Sequence, residues 1–451
     1  MGIVGNMSYS INSDLWVRPD AWPDIPDIGS TDGVVYVLCK VIDTLEVTSE
    51  FAVDCDIDGG TGNYIISNLS NTSISDIVGS GSQSMSLSYS DYGDLELYKG
   101  YKAVLLKVEA EGSGVISSIN FKPTYIYGDY SANSSSSLLE IIIHLPMCDT
   151  LYINNTTLSS NLTHYNLEHI NILSAGLVSD FSDLLENCRG LRCANINGNS
   201  SLTNMSNMFH KCYSLTDVSF SNIGGVENIN SLFHSCLSLV SVPLFDTSSV
   251  TDMGSMFYSC YSLTSVPLFD TSSVTDMGSM FYNCFSLMTV PLFNTVSVTD
   301  MSYMLRSCHS LLRVPSFNTS NVTNMNSMFR YCDFLSSIHL PDISNVTSFG
   351  HAFSNCYSLS EIRIDSAMVS GTSLSNIFSN FGSLIKLTIT DLDSSINISN
   401  QRIFGSDLEA FGDSIKDLTG LTSQSVTMRI SQAESIDETI FTDKNWTIVE
   451  V

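Results

Sequence analysis

Apolar residues return along this chain with a fixed step of 24. Cys188, Cys212, Cys236, Cys260, Cys284, Cys308, Cys332 and Cys356 keep that spacing without exception. Three residues after each comes a leucine, from Leu191 through Leu263 to Leu359. Three further on stand Val218, Val242, Val266, Val290, Val314 and Ile338. Phe209, Phe233, Phe257, Phe281, Phe329 and Phe353 precede their cysteines by three, with Leu305 in the one gap. Val226, Val250, Val274, Val298, Val322 and Val346 form another row. A fixed period in this range is the signature of a solenoid, whose coils bury apolar rows against one another.

One coil predicts its own elements. Leu263 to Phe269 reads as a short strand, closed by the turn-forming Asp270-Thr271-Ser272-Ser273. Val274 to Met277 is a second extended piece. Met277, Met280, Phe281 and Cys284 have helical spacing, which predicts a helix of one or two turns. Stacked coils place like residues about 4.8 Å apart. Cysteines in such a ladder point the same way, with Cβ atoms too far apart for a good disulfide geometry. They are therefore read as buried free thiols, and a single file offers zinc no tetrahedral cluster.

Outside residues 137–390 the pattern changes. Val34 to Val41 is a continuous apolar strand; Phe51, Val53, Cys55 and Ile57 alternate with polar residues. Tyr64 to Ile66, Ala103 to Val108 and Val115 to Phe121 continue in short strands, so residues 31–136 read as an antiparallel β-sandwich that serves attachment. Residues 1–30 form an extended arm rich in Trp and Pro, in which Trp16, Arg18 and Trp22 are candidates for docking on another protein. At the other end, residues 391–451 read as a cap, with a helix over 407–418 and strands at 425–430 and 446–451.

Composition narrows the function. The chain has 451 residues, 18 Lys+Arg and 46 Asp+Glu, a net charge of −28, yet only 14% of residues are charged. Basic residues are scarce, which argues against nucleic-acid binding. No apolar run approaches the roughly 18 residues of a membrane helix. The start of the chain does not read as a secretory signal. With 43% hydrophobic residues there is ample material for packed cores.

The string Met256-Phe257-Tyr258-Ser259-Cys260-Tyr261-Ser262-Leu263, followed by Phe269-Asp270-Thr271-Ser272-Ser273-Val274-Thr275-Asp276-Met277, resembles the BspA-like leucine-rich repeat family. It is similar in particular to that family's Mycoplasma surface-protein variant. The resemblance covers residues 184–390 and implies a leucine-rich-repeat solenoid of bacterial, protist or phage surfaces, working in adhesion or recognition. It carries over no catalytic motif. The closing segment Asp443-Lys444-Asn445-Trp446-Thr447-Ile448-Val449 is similar to the cap of such proteins, phage-encoded ones included. The Trp16-to-Pro26 arm resembles those of phage structural proteins.

The overall expectation is a mainly β chain with short helices: a sandwich, a leucine-rich-repeat solenoid and a cap. Its expected role is a non-enzymatic virion component, of fibre type, that presents the solenoid to a host glycan or protein. Other virion proteins would hold its N-terminal region, and self-association is left open. Two alternatives are a cell-surface adhesin and a glycan-degrading tail enzyme. Candidate contact residues on the strand face are Thr264, Ser265, Thr289 and Arg313. A second candidate row is aromatic, with Tyr261, Phe285 and Tyr357 directly after their cysteines. No cofactor is expected, except that Asp54, Asp56 and Asp58 begin like a calcium loop. That loop should end in Glu, where Ile65 stands, and alternate carboxylates on a strand lie nearly 7 Å apart. The rows Asp252-Asp276-Asp300-Asn324 and Asp246-Asp270-Asn294-Asn318 are expected to cap turns through side-chain-to-backbone hydrogen bonds.

Overall fold

The computed structural model describes residues 23–24, 26, 33–42, 49–57, 63–87, 97–98, 101–111, 116–121, 138–144, 150–152, 167–366, 374, 376–380, 383–390, 392, 395–415, 424–428, 430–433 and 435–451. The chain divides into two compact units, Met1–Val226 with Ser235–Phe245, and Glu227–His234 with Asp246–Val451.

The first unit holds the strands β1 (Val34–Ile42), β2 (Ser49–Ile57), β3 (Tyr64–Asn68), β4 (Ile77–Gly79), β5 (Gly81–Leu87), β6 (Leu97–Tyr98) and β7 (Tyr101–Ala110). It continues with β8 (Ile116–Phe121), β9 (Leu138–His144), β10 (Thr150–Tyr152), β11 (His169–Ser174), β12 (Cys193–Asn197) and β13 (Asp217–Ser221). Strand β1 is apolar but for Lys40 because it is central. It pairs antiparallel with β7 on one side and with β9 on the other. Strand β9 then pairs parallel with β11, and β11, β12 and β13 follow in parallel, one 24-residue repeat apart. The large sheet thus runs β13-β12-β11-β9-β1-β7-β3-β4, with β6 beside β7. It crosses the boundary expected at residue 136 without a break. A second sheet, β10-β8-β2-β5, completes the described part of the N-terminal region. No helix among the described residues is long and apolar enough to cross a membrane.

In the second unit β14 (Ser337–Leu340), β15 (Glu361–Ile364) and β16 (Lys386–Ile389) form a parallel sheet. The cap contains β17 (Ile396–Asn397), α1 (Gly405–Ser414), β18 (Gln424–Met428), α2 (Ile430–Ala433), α3 (Thr439–Thr442) and β19 (Trp446–Glu450). Its three strands are parallel, with β18 in the middle. The helix and strands expected there are present within a few residues.

Two expectations for the regular coil need correction. The segment Leu263–Phe269 is extended but forms no strand, and neither does its equivalent one repeat on, apart from the single bridge Thr289↔Arg313. The reason is proline. Pro243, Pro267, Pro291 and Pro315 stand where the strand-forming coils carry Asn195, Ser219, His339, Arg363 and Thr388. Proline has no N–H to donate to a ladder. Its carbonyl instead accepts the N–H two residues on, Phe269 to Pro267 at 3.1 Å and Phe293 to Pro291 at 3.0 Å. This tight turn places Leu268 and Leu292 outside, 60% and 62% exposed, while Phe269 and Phe293 take the core position.

The expected helix is likewise absent. Residues 277–284 form a chain of turns in which alternate N–H groups bond within the coil and to the next coil. Met280 and Cys284 donate to carbonyls three residues back. Met277, Ser279, Phe281 and Asn283 donate across to Asp300, Ser302, Met304 and Arg306 at 2.8 to 3.1 Å. A helix would keep all these bonds to itself; the turn chain gives half of them to the stack. It requires a left-handed backbone at Ser279 (φ 57°) and Asn283 (φ 61°). Short polar residues at most equivalent positions lower that cost. The spacing Met277, Met280, Phe281, Cys284 still faces inward, and all four are fully buried.

The cysteine row is built as expected. Ten described cysteines are buried free thiols. In the second unit the S–H groups of Cys260, Cys284, Cys308, Cys332 and Cys356 donate to carbonyls one coil back at 3.0 to 3.2 Å. In the first unit Cys212 and Cys236 do the same, to Leu185 and Phe209. Burial pushes the Cys356 thiol up to about 12, which disfavours its thiolate.

Candidate recognition surfaces

The two aspartate rows are turn caps. Asp252, Asp276 and Asp300 each accept the N–H two residues on, at 2.6 to 2.8 Å, and Asn324 does so at 3.2 Å. Their backbones bridge in register from Asn228 to Ser348. Asp246, Asp270 and Asn318 accept from Ser248, Ser272 and Ser320 in the same way. Amides close the first row at both ends: Asn230 donates to Asp252 and Asn324 to Asp300. Asp276, between two like charges, is raised above the ordinary carboxylate range, first by burial and then by Asp252 and Asp300. Asp270 is lowered by the Ser272 hydroxyl and N–H. No group of three His, Cys, Asp or Glu among the described residues could hold a metal ion. Asp54 and Asp56 lie on β2, opposite Ser82 and Asn120 and opposite Ser118 respectively; Asp58 lies outside the described residues, as do Trp16, Arg18 and Trp22.

The strand-face candidates are where the pattern puts them. Thr264 is half-buried, and Ser265, Thr289 and Arg313 are exposed. The bridge between Thr289 and Arg313 fixes those two side by side. Apolar side chains share this outward face with no sign of it in sequence: Leu268, Met288, Leu292 and Leu312 are all about half exposed or more. The aromatic candidates form a stack. Tyr261 lies 4.6 Å from Phe285, which lies 5.2 Å from His309, and His309 Nδ1 is 2.7 Å from Asp333 Oδ2. Tyr357 is 57% exposed, and its hydroxyl donates to Asn355 at 3.2 Å.

A second column stands two residues before the cysteines, where the sequence shows His210, His234 and Tyr258 in register as an improbable metal site and gives no sign of a ring stack. His234, Tyr258 and Tyr282 stack with ring centroids 4.4 and 4.6 Å apart. Arg306 and Arg330 continue that row. The row reads His-Tyr-Tyr-Arg-Arg at a step of 24, but turn residues carry no inward or outward label in sequence.

One polar chain has catalytic residue types. Ser316 Oγ lies 3.0 Å from His339 Nδ1, and His339 Nε2 lies 2.8 Å from Asp365 Oδ2. Asp365 is also gripped by Arg363 at 2.6 Å, which is the main reason its carboxyl is lowered. Ser316 is exposed, so water screens any charge that would develop there. The chain acts as a polar ladder across three coils.

Parallel 24-residue coils, a buried leucine and thiol core, and outward polar and aromatic rows define a leucine-rich-repeat solenoid, mainly β with few short helices. The chain belongs to the family described as "Mycoplasma protein of unknown function, DUF285", whose model matches residues 149–265, 179–289, 203–313, 264–366 and 285–387. No curated protein matches it. Among solved structures it is similar to a leucine-rich repeat protein of Bacteroides ovatus, with 16% identity, a TM-score of 0.31, and 75% of this chain and 96% of that one covered. The Treponema pallidum leucine-rich repeat protein matches with 19% identity and a TM-score of 0.27, over 49% and 83%. The functional domain of InlJ from Listeria monocytogenes, which includes a cysteine ladder, matches with 13% identity and a TM-score of 0.21, over 70% and 74%.

Proposed function

We propose that the chain is a non-enzymatic recognition protein whose solenoid presents repeated, largely uncharged rows to a host glycan or protein. The observation that carries this is the exposed strand face, where Ser265, Thr289 and Arg313 stand between exposed apolar side chains on coils whose cores are fully buried. Such a rigid, varied face suits contact with a surface and offers no shielded cleft for chemistry. A shallow depression in the first unit, lined by Gly198, Asn199, Ser200, Asn222, Gly224 and Gly225, holds no carboxylate or imidazole. In its particular form the proposal places the protein on a phage virion, held through its N-terminal region by other virion proteins.

Two measurements test it. Purified protein is expected to bind host cells, and the combined change of Thr289→Ala and Arg313→Ala is expected to weaken binding about tenfold, roughly the loss of one anchoring contact. A parent protein that binds no host cell or host component would overturn the reading. Mass spectrometry of purified virions is expected to find this polypeptide, and its absence would remove the virion assignment. Release of soluble sugar from host polysaccharide by the purified protein would overturn the non-enzymatic part.

A further inference from the structure

Several described cations pair with carboxylates, whereas Lys444 donates to backbone carbonyls, Arg189 lies 5.1 Å over the Tyr213 ring, and in the second unit Arg306 and Arg330 share a cluster of tyrosine rings. Arg192 pairs with Glu168, Arg363 with Asp365, and Lys386 with Glu361. Arg306 and Arg330 meet no carboxylate among the described residues, in a chain with 46 acids to 18 bases. Their partners are tyrosine rings. The Arg306 guanidinium lies 5.1 Å from the Tyr282 ring, 5.6 Å from Tyr303 and 5.9 Å from Tyr331. Arg330 lies 5.0 Å from Tyr331, so both guanidiniums share one ring. The Nε atoms of both are buried without a hydrogen-bond acceptor. Two like charges side by side are costly unless an anion joins them, and because each Nε is sealed from solvent that anion meets the terminal nitrogens, one of which Arg330 already donates to the Tyr331 hydroxyl at 3.4 Å.

The backbone points to the same place. Tyr303 and Tyr331 sit at φ 57° and 65°, in left-handed turn positions where other coils carry Ser279, Asn283, Ser307 and Ser327. A bulky side chain there costs energy that a serine or asparagine largely avoids. Both strained tyrosines flank Arg306. Their rings hold its planar fork, which matches a carboxylate in bidentate fashion. Their hydroxyls both donate and accept, as the hydroxyls of a sugar require. The Tyr303 hydroxyl already accepts from the Asn326 amide at 3.1 Å. A net charge of −28 repels long polyanions such as nucleic acids, and favours a ligand with few charges.

We propose that Arg306 and Arg330, set among Tyr282, Tyr303 and Tyr331, bind the carboxylate of an acidic saccharide. This rests on the recognition reading above and adds a second anchoring contact, on the turn face, to the one on the strand face.

The test is titration calorimetry on the full chain with a uronic-acid tetrasaccharide, its carboxyl-reduced neutral counterpart, and a sulfated tetrasaccharide lacking carboxylates. The acidic form is expected to bind and the reduced form to lose at least about tenfold. Arg306→Gln and Arg330→Gln are each expected to lose about tenfold, with an unchanged circular dichroism spectrum. Arg306→Lys keeps the charge but loses the fork, and is expected to weaken binding about fivefold. Where a glutamine variant fails to fold, Arg306→Lys and the reduced sugar carry the test. Equal binding of the reduced sugar, no binding of the acidic one, or full binding by the folded double glutamine variant would each overturn the inference. Tighter binding of the sulfated sugar would overturn the carboxylate assignment. Host-cell binding retained by the double variant sinks this site and leaves the recognition reading standing; no host binding by the parent sinks the reading itself.

Discussion

Within the second unit the coils around Pro267 and Pro291 and the coils of β14 to β16 share one interior and differ on one face. In both, the phenylalanine and leucine rows are buried, and so are the methionine positions, which Phe349, Ala352, Leu374 and Ile377 take over towards β16. In both, the turn chain gives alternate N–H groups to the next coil: Phe281 to Met304 at 2.9 Å, Phe329 to Ala352 at 3.0 Å. Only the strand face changes. Where His339 and Arg363 supply N–H groups, a parallel sheet forms and Leu340 and Ile364 are buried. Where proline stands, the sheet is lost and Leu268 and Leu292 turn outward. The stack is therefore held by its core and its turn chain, and the sheet is dispensable. A repeat protein can then vary its strand face without disturbing its coil.

Four measurements would break or sharpen that comparison, taken from the largest effect down. Phe281→Ala and Phe353→Ala empty equivalent core positions in the two kinds of coil. Each is expected to cost about 3–5 kcal/mol by urea denaturation; a markedly smaller loss at Phe281 would show that the proline coils are looser inside. Arg363→Pro on the central strand β15 is expected to cost at least about 2 kcal/mol through an orphaned backbone partner. Pro291→Ala, with no sheet bond to lose, is expected to change stability by less than about 1 kcal/mol. Equal effects of the two would mean the sheet contributes nothing even where it forms.

Ser279→Gly relieves a left-handed backbone and is expected to stabilise by about 0.5 kcal/mol, the difference between the strain removed and the entropy added. A loss of stability would show that the turn chain needs the side chain. The smallest effect concerns pH. The Asp276 carboxyl is raised in the folded state, so the folded protein binds its proton more readily than the unfolded chain does. Its contribution therefore becomes less favourable as pH rises through the carboxylate range. Asp276→Asn is expected to raise the denaturation midpoint slightly at pH 7 and not at pH 3. The exposed Asp270, lowered instead, has the opposite sign: its turn bond is present above the ordinary range and lost as pH falls. An Asp276→Asn midpoint below the parent's at pH 7 would contradict the like-charge account.

Much of this was legible from residues alone. The inward rows, the buried thiols and the turn-capping role of Asp270 follow from spacing and residue type, because a repeated burial pattern is visible in any one copy. The single strand and helix drawn for a coil were not right. A period of three and four residues fits a helix and also fits a turn chain whose bonds run between coils, and only the neighbouring coil distinguishes them. The proline was visible, yet its effect on Leu268 depended on which side of the chain the core lay. Of the candidate surface, the positions of Thr289, Arg313, Tyr261 and Phe285 off the core were legible because they sit beside known inward residues. Arg306 and Tyr303 were missed because turn positions have no period-two alternation to mark them.

The sequence by itself determined the repeat, its length and which side chains face inward, since burial of apolar rows is a local pattern copied eight times by the cysteines from Cys188 to Cys356. The tertiary structure decided where the hydrogen bonds go and what the outside presents. Backbone N–H groups are alike in every residue but proline, so the position of the next coil selects their partners. For the same reason, residues 24 or more apart, such as Arg306 and Tyr331, become one surface only when the coils stack.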